Sequence, residues 1–232
     1  MTEALVKTIL EKSKTHIDVF NVTKDVFEKI KLVLQQKEQE LKSAATETDP
    51  RIAIEYIDKG RLEVHFKAGN DVLVFLMHAS VFQIDDANMI HKNSYIKENP
   101  MRAFCGMICV YNFMADSFKF NRVEDAGMMV SRIFVNCDNH FFMEGKKQLG
   151  IIYNKLDTDI ITDAAIDSMV EANLSFCAEA DLFIPPFATM AETTLEALNN
   201  RSISNIDSSR RFGFVQHLEK TEVVNKKITA KE

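Results

Sequence analysis

The chain has 232 residues, 46% apolar and 27% charged, with a net charge of −6. That is the composition of a globular protein with enough chain for one sizeable core. No run of about 18 apolar residues occurs, so no membrane-spanning helix is expected. The acidic balance disfavours nucleic acid as a partner.

Seventeen Phe and 11 Met, with no Trp, point to an aromatic core with adaptable filler. Met1-Thr-Glu-Ala-Leu-Val-Lys7 lacks the basic-then-apolar pattern of a signal peptide. Cys105, Cys109, Cys137 and Cys177 lie among apolar residues without C-x-x-C spacing. The expectation is a cytoplasmic protein with reduced thiols and no metal centre or cofactor.

In chain order, residues 3 to 44 carry a helical pattern, interrupted near Asn21–Thr23, where Thr23 can cap a second helix. Phe20, Phe27, Ile30, Leu34 and Leu41 approach heptad spacing. This helix is expected either to cover the outer face of a sheet or to make a dimer contact.

Arg51 to His78 reads as three antiparallel strands. Asp58-Lys59-Gly60 forms a three-residue turn and Gly69-Asn70 a two-residue one. Ile52, Ile54 and Tyr56 then face Phe66, Val64 and Leu62, which in turn face Leu73, Phe75 and Met77. The same register sets Glu55 against Glu63, an unfavourable pair. His65 and His78 fall on adjacent strands and read as a polar patch at a helix contact.

Asp85 to Pro100 is irregular, Ala103 to Met114 is a further strand, and Asp116 to Gly127 has no clear pattern. Met128–Val135 and His140–Lys146 form a hairpin around Asp138-Asn139. Its two-residue-turn register puts Phe142 on one face with Ile133 and Val135.

Thr162 or Asp163 caps a helix that presents Ala165, Ile166, Met169, Val170, Leu174, Cys177 and Ala178 to the core. A second helix spans about 188 to 198. Residues 157 to 200 hold nine acids and no Lys or Arg, whereas 201 to 232 hold seven bases against four acids. The organisation is a helical segment at 1–45, an α+β core at 51–200 and a polar linker and tail at 201–232. Within the core, the β block covers 51–147 and the acidic helices 157–200. The fold class is α+β, with a mainly antiparallel sheet of five or six strands and N- and C-terminal helices packed on one side.

One constellation can carry chemistry. On a strand, Glu144 and Lys146 share a face two residues apart. A carboxylate and an ammonium so placed can bind a divalent ion and position a water, given a second acid. The triplet resembles the E-x-K half of the restriction-endonuclease-like nucleases, with Asp116 or Asp125 as the implied second acid. The structural alternative is a semi-buried Glu144–Lys146 ion pair.

For a small-molecule pocket the candidate lining is Tyr111, Phe113 and Phe142, from the aromatic stretch and the Met- and Phe-rich hairpin. Neither a G-x-G-x-x-G nor a P-loop motif occurs. The element order resembles sensor-type modules in which a sheet between helices holds a ligand. The reading is a non-catalytic cytoplasmic module that binds a small molecule or a protein and self-associates as a homodimer. A metal-dependent hydrolase or nuclease acting through Glu144 and Lys146 is the alternative.

Overall fold

A computed structural model describes residues 2–146 and 148–180. The expected helix at 188–198, the linker and the tail lie outside the described residues.

α1 runs without interruption from Glu3 to Thr48. Thr23 does not cap a second helix. Its hydroxyl donates to the Val19 carbonyl at 2.7 Å within the same helix, the back-bonding that lets a threonine sit mid-helix. Val19, Thr23, Val26, Phe27, Ile30 and Leu34 are buried along one stripe, the three-and-four spacing of a core-facing helix.

Among the described residues seven strands follow: β1 (Ile54–Asp58), β2 (Glu63–Ala68), β3 (Asp71–Met77), β4 (Phe82–Gln83), β5 (Phe104–Met114), β6 (Met128–Asn136) and β7 (Phe141–Gly145). Every pairing is antiparallel. The spatial order is β1-β2-β3-β5-β6-β7, with the short β4 also on β5. The helices α2 (Ser94–Glu98), α3 (Ala115–Lys119) and α4 (Leu149–Ile152) are single turns or little more. α5 (Asp163–Glu179) begins at Thr162, whose hydroxyl accepts from Ala165 N–H at 3.1 Å.

α1 and α5 pack together on one face of the sheet. Val26, Phe27, Ile30 and Leu34 share one buried cluster with Val64, Phe66, Leu73, Phe75, Ile108, Ile133, Ile166 and Met169. The fold is therefore α+β, with its two long helices on a single side. α1 covers this inner face and not the outer one, because its apolar stripe matches the more apolar of the two. At the crossing with β5 a side chain on Gly106 would meet the Thr23 hydroxyl at 2.1 Å, so the close approach depends on glycine.

Two hairpin registers differ from expectation. The β2–β3 ladder is as expected, with Phe66 opposite Leu73 and Val64 opposite Phe75. In the first hairpin the turn sits two residues later, closed by Lys59 N–H to the Glu63 carbonyl at 3.2 Å. Tyr56 thus meets Phe66, and Glu55 meets Lys67 instead of Glu63. The shift replaces a like-charge pair by an ion pair of 2.9 Å. Asp58 secures it by accepting from Gly60 N–H at 2.8 Å, while Lys31 donates to the Gly60 carbonyl at 2.7 Å.

In the second, Asn136 Oδ1 accepts from both Asp138 N–H and His140 N–H at 3.0 Å. The turn is thereby longer than two residues, and Phe134 opposes Phe142. That one-step difference moves Phe142 and Glu144 away from Ile133 and Val135 to the outer face.

Candidate functional site

Strand alternation fixes the outer face. It carries His65 on β2, Val72, Val74 and Leu76 on β3, and Cys109, Tyr111 and Phe113 on β5. Arg132 and Phe134 on β6 and Phe142 and Glu144 on β7 complete it.

Two segments cover its ends. α3 swings back over one end and lays Phe118 against His65 at 5.0 Å and against Phe113 at 5.5 Å. The following loop crosses so closely that a side chain on Gly127 would meet the Phe113 ring at 2.2 Å. At the other end, Ile96, Ala103 and Leu156 form a small buried cluster with Ile84, Ile90, Tyr95 and Phe142. Tyr95 also stacks on His140 at 4.6 Å and accepts from Asn136 Nδ2 at 3.0 Å. Burial pushes the Tyr95 hydroxyl up to about 12, so it is a neutral group at physiological pH.

Between the covers Val72, Val74 and Cys109 are buried, and the face is open only in part. Leu76 and Met129 are exposed, with Tyr111 partly so. Phe118, Phe120 and Val123 add exposed apolar surface from α3 and its loop, Val123 at 85%. The sequence-derived lining residues thus share one face, where Tyr111 lies 6.5 Å from Phe113 and Phe142 stacks on Phe134 at 4.7 Å. Their outer placement follows from alternation, although Phe142 reaches it only through the longer turn.

The E-x-K residues are arranged differently from expectation. Glu144 accepts a hydrogen bond from Arg132 Nη2 on the neighbouring strand, and this pair stands in place of the expected Glu144–Lys146 pair. Lys146 lies past the end of β7 and is exposed. Asp125 accepts from the Ser117 hydroxyl at 2.7 Å and lies 3.7 Å from Arg122. Asp116 sits in the first turn of α3. Among the described residues no three His, Cys, Asp or Glu side chains converge as a metal set would. His65 is buried and pairs with Glu63 at 2.5 Å.

Ser117, Arg122 and Asp125 form a polar cluster beneath α3. The two charged side chains are only 10% and 11% exposed, and sequence reasoning had no signal for their convergence. A separate cleft of about 520 Å³ opens between α4 and α5, lined by Ile152, Asp167, Glu171 and Phe176 among others. Two of its carboxylates are already engaged, since Lys37 lies 3.5 Å from Asp167 and 3.7 Å from Glu171.

All four cysteines are free, and burial pushes the Cys105 and Cys177 thiols up to about 12. These two are protonated and poorly nucleophilic at neutral pH. No helix among the described residues is long and apolar enough to cross a membrane. Comparison with family models, with curated proteins and with solved structures finds no match.

Proposed function

We propose that the protein is a non-catalytic cytoplasmic binding module whose outer sheet face takes a small-molecule or protein ligand. The observation that carries the reading is the apolar surface that Leu76, Phe118, Phe120, Val123 and Met129 expose around half-buried Tyr111. A rimmed apolar surface of this kind marks an interaction site more often than a solvated face. Engagement of Glu144 by Arg132 weighs for binding over catalysis at the β6–β7 hairpin. Free thiols fit a reducing compartment.

Self-association has its own support. The first three turns of α1 are exposed on every side, Leu5, Val6, Ile9 and Leu10 included. Leu5 and Ile9 continue the same helical stripe that is buried from Val19 onward.

A fragment screen read by amide chemical shifts tests the reading. Shifts clustered on Leu76, Cys109, Tyr111 and Met129 are the expected result. Hits that require Mg²⁺ and cluster on Glu144 and Lys146 contradict it.

A further inference from the structure

Arg122 is the most unusual charged group outside the β6–β7 hairpin. Its side chain is 10% exposed, yet Nε and Nη2 are both buried without a hydrogen-bond partner. Asp125 lies on the other side of the guanidinium, 3.7 Å from Nη1. Nε–H and Nη2–H form the side-on edge of an arginine, the two-donor fork that matches a carboxylate bidentately. A core arginine normally satisfies that edge, because leaving a buried donor unpaired forfeits its hydration without return.

The surroundings are specific. Phe120 lies over the guanidinium at 5.2 Å and also carries Lys119 Nζ at 5.1 Å. Phe120 is 47% exposed, and exposed side chains change rotamer within picoseconds to nanoseconds. A rotamer change of Phe120 moves it off the guanidinium and gives up its contacts with both cations. Phe118 and Val123 provide exposed apolar surface around the same loop, while Ser117 and Asp125 hold each other at 2.7 Å beneath it.

We infer that the Arg122 fork is a binding site for an amphipathic carboxylate. The carboxyl group meets Nε and Nη2, Lys119 adds a second positive charge, and the apolar body lies on Phe118, Phe120 and Val123. A phosphate fits less well, since one fork and one exposed lysine offer too few donors for a dianion. The inference deepens the binding-module reading and rests on it only for the location at the α3 end of the outer face.

The test is a calorimetric titration of the full chain with octanoate, N-acetylphenylalanine and octanamide. Expected is binding of one or both acids with the amide about tenfold weaker or undetectable, the discrimination of a charge-assisted bidentate pair. Octanoate binding more tightly identifies a free acid as the natural class, and N-acetylphenylalanine binding more tightly identifies a chain end. Arg122→Met should abolish the acid preference. Arg122→Lys, which keeps the charge but not the fork, should weaken it as well.

Equal binding of acid and amide, or an acid preference retained in both variants, overturns the inference. So does the absence of binding by either acid. If fragments still map to Tyr111 in that case, the carboxylate site falls and the binding-module reading stands.

Discussion

Glu144 and Arg132 face each other directly across the β6–β7 ladder, and the carboxylate accepts from Arg132 Nη2. The pair is about half exposed, at 42% for Arg132 and 47% for Glu144, so solvent screens it. A double-mutant cycle with Arg132→Ala and Glu144→Ala in urea should give a coupling of only about 0.2–1 kcal/mol, smaller still in 1 M salt. A coupling above ~2 kcal/mol would mean that the pair is effectively desolvated.

The crossing of α1 over β5 rests on the absence of a side chain at Gly106. Gly106→Ala should cost about 1–3 kcal/mol, the range for overpacking a filled core, because the new methyl group meets the Thr23 hydroxyl at 2.1 Å. Thr23→Ala should recover only part of that loss in the double variant, because its Cβ still lies 2.7 Å from the new methyl group. Chemical denaturation of the four proteins checks the compensation. Additive losses would place the strain elsewhere.

Acid lability should concentrate at the first hairpin. The Gly60 backbone N–H, followed by the Lys31 ammonium, holds the Asp58 carboxyl below the ordinary carboxylate range. A group so depressed stabilises the fold at pH values above its unfolded pKa, about 3.9. It loses that contribution as pH falls through the lower folded value. The wild-type midpoint should therefore drop more steeply below pH 4 than that of Asp58→Asn, which lacks the titration. Parallel curves for the two proteins would place the acid sensitivity on other carboxylates. Asp58 is about half exposed, so the difference should be modest.

The exposed first turns of α1 should mediate a homodimer. Sedimentation equilibrium of the full chain should give twice the 26.5 kDa chain mass at micromolar concentration. Ile9→Glu, on the exposed continuation of the buried stripe, should give the monomer without lowering the unfolding midpoint. A wild-type monomer at every concentration would remove self-association from the account.

Much of the fold was legible where local chemistry and periodicity agreed. Gly69, at φ +61°, sets the two-residue turn between β2 and β3. Alternation in Asp71–Met77 and Phe104–Met114 then assigns each face. Thr162 capping α5 was equally readable, because a hydroxyl before an apolar-periodic run has one obvious use.

The misplaced registers depend on side chains that reach across the chain. Lys31 on α1 bonds to Asp58 and to the Gly60 carbonyl, and Asn136 gathers two amides of its own turn. Asn173 was likewise hidden. It is a polar residue within the apolar stripe of α5, buried, and it accepts from the Ser131 hydroxyl at 2.6 Å. At the site, Tyr111 and Phe113 were readable from alternation, whereas Arg122 was not. Its burial depends on how α3 and its loop fold back, and nothing in the local pattern specifies that.

The most direct test of the central claim is a thermal-shift screen of wild type, Glu144→Ala and Tyr111→Ala against Mg²⁺, Mn²⁺, nucleotides and small metabolites. A ligand that binds only the folded state raises the midpoint with its saturation. The account predicts a metabolite-dependent rise that Glu144→Ala retains and Tyr111→Ala loses. A rise that needs Mg²⁺ or Mn²⁺ and disappears in Glu144→Ala, accompanied by cleavage of a nucleic-acid substrate, would contradict it.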